Sequence, residues 1–239
     1  MIRKPKRLLL KLSGEILMGD KPFGIDAEEC CKIASALKNF ISSGYEIGVV
    51  IGGGNLFRGS NLKQLGMERT PADQMGMLAT LINGIALKQA LEGVECPAKV
   101  LSALECPKVA ESYSWRTALQ YLSEKNVVIF VGGTGNPYFT TDTAAAMRAN
   151  EIQADMILKA TKVDGVYNKD PLKYSDAIKY PVMSYSQVLL EKLEIMDATA
   201  ISLCRESSIP ILVFNMKLLK QMGPDDILSG KNGTLIQVM

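Results

Sequence analysis

Residues 127–142 read VVIFVGGTGNPYFTTD: an apolar strand, a glycine turn and a helix start in direct succession. Five apolar residues open the stretch, mostly Val and Ile, the composition of a strand covered on both faces. Gly132, Gly133 and Gly135 follow, where the backbone can take positive φ and approach a ligand without a Cβ in the way. Thr140, Thr141 and Asp142 are all good N-caps for the helix-forming run AAAMR at 144–148. Such a unit aims amide N–H groups and a helix dipole at one turn, which makes a phosphate site. For any single copy, a tight turn with no ligand is the simpler reading. The chain, however, repeats the arrangement. EIGVVI at 46–51 runs into GGGNLFRG at 52–59, RLLLKL at 7–12 ends in Ser13-Gly14, and ADMILKA at 154–160 leads into TKVDGVY at 161–167.

Outward from these strands the pattern is helical. Asp26 and Glu29 form a capping-box pair ahead of an apolar stripe from Cys30 to Ile41, closed by Gly44. Thr70-Pro71-Ala72-Asp73 reads as N-cap, N1, N2 and an acid at N3 of a helix running to about Leu91. Further helices are expected after Ser114, over 186–193 and over 197–206, with strands at 98–104, 209–214 and 234–238. Helical patterns separate most strands, so the expected fold is one α/β domain over 1–239: an open, mainly parallel sheet covered by helices on both faces. In such sheets ligands sit beyond the carboxyl ends of the strands. Four of the loops fall there, which favours a binding crevice over four structural turns.

Composition removes whole classes of chemistry. The chain has 239 residues, net charge +2 and no histidine. Ser-His and Cys-His nucleophiles and the usual zinc sites are therefore excluded. Five cysteines, odd in number and without a CxxC pair, read as reduced thiols of a cytoplasmic protein. No apolar run is long enough to span a bilayer, and no basic patch suggests nucleic acid. No P-loop string is present, and Tyr138 and Phe57 stand where a dinucleotide fingerprint needs its third glycine. Several glycine turns with Lys11 and Arg58 instead suit more than one phosphate group, although Lys11 could equally snorkel at a sheet edge. A phosphate acceptor is largely dianionic at neutral pH, its second pKa being about 6, so it needs no general base. A histidine-free enzyme suits that reaction.

Together, KLSGE, VVIGGGNLFRG, MGMLAT, TGNPYFTTD, LKATKVDGVY and VFNM resemble the bacterial UMP kinases (uridylate kinases) of the amino acid kinase family. The resemblance runs in order from about Lys6 to Val238. It implies a three-layer amino acid kinase sandwich and Mg²⁺-dependent transfer of the ATP γ-phosphoryl group to UMP, giving ADP and UDP for UTP and CTP synthesis, with Mg²⁺ carried by ATP. On the ATP side it implies Lys11, Leu12, Ser13, Gly14, Gly54, Arg58, Thr161, Tyr167 and Asp170. On the UMP side it implies Gly53, Asp73, Thr134, Gly135, Asn136, Pro137, Tyr138, Phe139, Thr140 and Thr141. Lys11, Arg58 and Asp197 are the catalytic residues it implies. Gly19, Asp20, Lys21, Pro22, Phe23 and Gly24 fall where bacterial members respond to GTP. A GTP activator, a UTP inhibitor and a homohexamer are further implications. Each residue also has a plain structural role open to it: Asp73 as a helix-start acid, Asp197 as an N-cap, Tyr167 as cover for the core edge. Lys159 and Lys162 are further candidate cations. Two rivals share the fold: a relative that phosphorylates a carboxylate or carbamate, and a nucleotide- or oxyanion-binding protein without turnover.

Overall fold

The computed structural model describes residues 5–57, 66–193 and 195–239. Its frame is a nine-stranded sheet in the order β4-β3-β5-β2-β1-β6-β10-β11-β9. The strands are β1 (Arg7–Leu12), β2 (Glu46–Ile51), β3 (Ala98–Ser102), β4 (Glu111–Ser112), β5 (Val127–Val131), β6 (Met156–Thr161), β9 (Val182–Ser184), β10 (Ile211–Asn215) and β11 (Gly233–Gln237). All neighbours pair in parallel except β10 and β11, which pair antiparallel. A separate antiparallel pair is formed by β7 (Val166–Tyr167) and β8 (Lys179–Tyr180).

Both faces of the sheet are covered, and the strand alternation shows which residue serves which face. Leu8, Leu10 and Leu12 of β1, with Ile47, Val49 and Ile51 of β2, pack on one side against α1 (Ala27–Ser42) and α2 (Arg69–Gly93). Leu9, Val50, Val128 and Phe130 pack on the other side. There they meet α3 (Trp115–Ser123), α4 (Thr141–Glu151), α5 (Tyr185–Leu190) and α6 (Ala198–Glu206). A short α7 (Pro224–Leu228) lies on the first face through Ile227. The four leucines of β1 have no exposed surface. Burying each stabilises the sheet by roughly 1.5–3 kcal/mol, so the central strand is held by both layers at once. The two-residue β4 and three-residue β9 form the sheet's margins. Short edge strands offer little backbone for unwanted pairing.

Two helix starts differ from the sequence expectation. Asp26 caps α1 by accepting from the Glu28 and Glu29 amides, but the Glu29 carboxylate does not return to the cap. It pairs with Lys32 and Lys220, because a charged partner outcompetes a backbone N–H. The α2 helix begins at Arg69 rather than after Thr70, and its N-cap, Glu68, makes no side-chain cap bond. Thr70 and Asp73 are thus inside the helix. Both side chains reach across to Tyr138 instead. The sequence pattern also did not announce β4, β7, β8 or β9, which are too short for periodicity to show.

Candidate active site

Lys11 lies between Leu10 and Leu12, so it points to the face opposite theirs. Lys159 does the same between Leu158 and Ala160 of β6. Parallel pairing of β1 with β6 sets Lys11 directly beside Lys159. Above them α4 begins, with Asp142 in its first turn. Lys11 Nζ is 2.8 Å from Asp142 Oδ1, and Lys159 Nζ donates to Oδ2 at 2.7 Å. The three side chains are only 12%, 8% and 15% exposed for Lys11, Lys159 and Asp142. Two cations and one anion leave a single excess positive charge where solvent screening is weak.

Mutual charge sets the protonation of this trio. Burial alone pushes the Asp142 carboxyl up, but Lys11 and Lys159 together outweigh it and hold it below the ordinary carboxylate value. For Lys159, burial and then the neighbouring Lys11 charge push the ammonium down to about 8 against the pull of Asp142. Lys162, by contrast, is 62% exposed and pairs with Glu15 at 2.7 Å. Lys159 is therefore the cation that joins Lys11, and Lys162 is not part of the trio.

Asp197 ties two helix starts together. It caps α6 by accepting from the Ala200 amide at 2.8 Å. It also accepts from Thr143 Oγ1, at 2.8 and 3.0 Å, and from the Thr140 hydroxyl. The N-cap role and a place at the site coexist in one carboxylate. Thr140 in turn caps α4, accepting from the amides of Asp142 and Thr143 at 3.1 and 3.3 Å. Two first-turn amides of α4 are thus already engaged, which corrects the expectation of a helix end with free N–H groups. At this edge positive charge comes chiefly from the lysines.

In strand order the lysines of the trio, on β1 and β6, fall between two clefts, and none of the trio's three side chains lines either. One, of about 230 Å³, sits at the ends of β2 and β5 and is lined by Gly53, Gly54, Phe57, Asp73, Gly133, Phe139, Thr140 and Thr141. Asp73 accepts from the Tyr138 amide at 2.7 Å, fixing the 133–139 loop against α2. Tyr138 is held at φ 72°, with Arg69 stacked 4.8 Å from its ring centroid. Thr134 and Asn136 bond to one another across a local turn, and with Gly135, Pro137 and Tyr138 they do not line this cleft. The other cleft, of about 470 Å³, is lined by Thr161, Tyr167, Asp170, Leu193, Ile195 and Val213 among others. The Tyr167 hydroxyl donates to Asp164 at 2.6 Å. Ser13 and Gly14 follow β1, where a Cβ on Gly14 would lie 2.4 Å from the Gly52 carbonyl oxygen. Gly19 and Asp20 border a third cleft, while Lys21 pairs with Asp26 and Phe23 is exposed. Arg58 lies outside the described residues.

Asp142 was not singled out for this role by the sequence, and Lys159 stood there beside Lys162 with nothing to choose between them. The signal for Lys159 was present, since a lysine inside the apolar run ADMILKA repeats the oddity of Lys11 in RLLLKL. For Asp142, its value as a helix-start residue masked the second role.

Residues 6–215 match the amino acid kinase family. The chain belongs to that family. Among its amino acid kinase relatives, the uridylate kinase of Protochlamydia amoebophila is 63% identical over 233 residues, covering 97% of this chain and 93% of that protein. The uridylate kinase of Actinobacillus pleuropneumoniae serotype 5b is 49% identical over 232 residues, covering 97% of each. Among solved structures, UMP kinase from Ureaplasma parvum superposes with a TM-score of 0.91 at 39% identity, over 98% of this chain and 99% of that one. UMP kinase from Bacillus anthracis gives 0.92 at 34% identity, over 98% and 97%. The mostly parallel, doubly covered sheet is thus the amino acid kinase fold.

The lowered Lys159 ammonium predicts a pH dependence. As pH rises through about 8 the free protein loses that charge, so kcat/KM for the phosphoryl donor should fall on the alkaline side. Lys159→Met should lose activity and also lose that descending limb. For stability the sign is opposite: the unfolded lysine, near 10.4, holds its proton more tightly than the folded one. The penalty for burying the charge is therefore relieved between about pH 8 and 10. Rate profiles and melting curves across that range check both signs.

Proposed function

We propose that this amino acid kinase chain transfers the γ-phosphoryl group of ATP directly to UMP, forming UDP and ADP. The observation that carries the reading is the Lys11–Asp142–Lys159 trio on β1, α4 and β6, with one cleft at the ends of β2 and β5 and the other beside β6 and β10. Relatives named uridylate kinase and UMP kinase, near full length, give the acceptor its identity. UMP belongs in the cleft at Gly53, Asp73, Phe139 and Thr140–Thr141, and the family pattern adds residues 134–138. ATP belongs towards Ser13-Gly14, Thr161, Tyr167 and Asp170, so its γ-phosphate reaches the trio. There the excess positive charge offsets the repulsion between donor and acceptor phosphates, which is the main electrostatic demand of the reaction.

The nucleophile is the UMP phosphate oxygen, already deprotonated, so no residue has to remove a proton. Mg²⁺ enters as part of the substrate MgATP. Among the described residues no cluster of three or more carboxylates or thiols is placed to hold a metal, and the protein's own contribution is cationic. Asp197 and Asp142 orient cations and helix starts. Arg58 is assigned to ATP from the family pattern alone.

A homohexamer is supported by α2, where Leu78, Ile82 and Ile85 recur at helical spacing and are all more than 40% exposed. GTP activation through residues 19–24, UTP inhibition, cytoplasmic residence, a single domain and a place in pyrimidine nucleotide synthesis follow from the family pattern. Among the described residues no helix is long and apolar enough to cross a membrane. Assay of the purified chain with ATP and each nucleoside monophosphate should give UDP from UMP and little product from CMP. Equal use of CMP, or no turnover of UMP, overturns the assignment.

A further inference from the structure

One helix, α2, touches both glycine turns from a single face, and it does so through buried polar groups. Thr80 and Asn83 stand three residues apart, hence on one side of the helix. They are 2% and 0% exposed. The Thr80 hydroxyl donates to the Met77 carbonyl in its own helix and accepts from the Gly132 amide, each at 2.7 Å. Gly132 is the first residue after β5, held at φ 76°. Asn83 donates to the Gly52 carbonyl and to Asn55 Oδ1, both at 2.7 Å, and accepts from Asn55 Nδ2 at 3.0 Å. Gly52 is the first residue after β2, and its carbonyl oxygen also borders Gly14. Every polar group of this network has a partner in a fixed direction, which is what makes such a network rigid.

Simple packing would not require it. Ala79 and Gly76 already bring α2 so close that a Cβ on Gly53 would lie 2.8 Å from each. Gly84 is equally tight, since a Cβ there would come within 2.4 Å of Val131. The glycines let the helix approach. Thr80 and Asn83 then fix where each turn sits along it.

We propose that Thr80 and Asn83 are positioning residues that act as a two-point gauge, setting the separation of the Gly52 and Gly132 turns. The inference rests on the phosphoryl-transfer reading above. In that reading the Gly132 turn leads into the UMP loop, while the Gly52 turn leads into Gly53 for UMP and, on the family pattern, Gly54 for ATP, so the separation of the turns sets how donor and acceptor phosphates meet in line. A misplacement of about 1 Å can cost 10²-fold in rate. Neither residue need touch a reacting atom.

The test compares wild type, Thr80→Val and Thr80→Ser. Valine keeps the shape but leaves the Gly132 amide without its acceptor; serine keeps the hydroxyl. Thr80 also borders the smaller cleft, so the UMP control is read on Asn83→Ala: calorimetry should show UMP alone binding Asn83→Ala, and MgATP alone binding both variants, as they bind wild type, while kcat falls ~10-fold or more. Thr80→Ser should recover most of the rate. Asn83→Ala, which leaves room for water at the Gly52 carbonyl, carries the same expectation and replaces Thr80→Val if that variant gives no cooperative melt. Unchanged kcat in a folded variant overturns the gauge. So does a loss of kcat matched by equally weakened single-substrate binding, or one that serine does not rescue. Wild type that turns over no UMP sinks the phosphoryl-transfer reading itself, before any variant is compared.

Discussion

Lys11→Ala is expected to lower kcat by ~10²-fold or more while lowering the melting temperature by less than Asp142→Asn does. Both halves follow from the charge count of the trio. Wild type holds two ammonium groups against one carboxylate, with Lys11 at 2.8 Å and Lys159 at 2.7 Å from Asp142. Removing Lys11 leaves the Asp142–Lys159 pair, whose net charge is zero and whose Oδ2 bond remains, at the cost of the ion pair on the buried Oδ1. What disappears is the excess positive charge available to the transferring phosphoryl group. Deleting one fixed electrostatic contact of this kind typically costs 10²–10³ in kcat. Steady-state kinetics with thermal denaturation on the same preparation checks it; a near-normal kcat refutes the role. Arg58→Ala carries the same kinetic expectation on the family pattern.

Asp142→Asn reverses the balance. The carboxylate goes, and two lysines only 12% and 8% exposed lose their ion-pair partner, keeping only the more distant pull of Asp197 on Lys159. Breaking a buried pair from one side costs roughly 3–5 kcal/mol, because the remaining charge stays desolvated. For a chain of this size that corresponds to a fall of about 10 °C in Tm. The loss should depend on pH at both ends. Above neutrality it shrinks, since Lys159, already pushed down to about 8, sheds its proton when Asp142 is gone. At low pH it narrows again. The Asp142 carboxyl is held below its ordinary value, so its contribution is lost as pH falls through that lowered value, and wild type then resembles the variant. Denaturant titrations at acid, neutral and alkaline pH measure the window. A Tm unchanged at neutral pH would show that the lysines are not held against a desolvated charge.

These two substitutions separate what the chain order reveals from what it hides. The strand and helix types were legible from residues 127–142 and their repeats, because apolar runs of five or six flanked by glycine leave few alternatives. The site's position followed, since a parallel sheet gathers its strand ends on one edge. Lys11 was legible as an anomaly, a lysine in a leucine run. Boundaries were read less well where a side chain had a better partner elsewhere. Thr70 and Asp73 look like a helix start until Tyr138, far along the chain, takes both side chains. Glu29 looks like half of a capping box until Lys220 competes for it.

The sequence by itself determined the inventory: a doubly covered α/β sheet, glycine turns suited to phosphates, cations at strand ends, and no imidazole for acid–base chemistry. Tertiary structure alone decided which of those groups meet. Lys159 joins Lys11 rather than Lys162 because β1 pairs with β6 in a register that sets the two lysines side by side on one face. Asp142 serves both because α4 is laid over that face. Thr80 and Asn83 reach two turns at once because β2 and β5 are neighbours beneath α2. Local propensity is written in each segment, but strand order and register depend on how every apolar face is buried together, and no single segment carries that information.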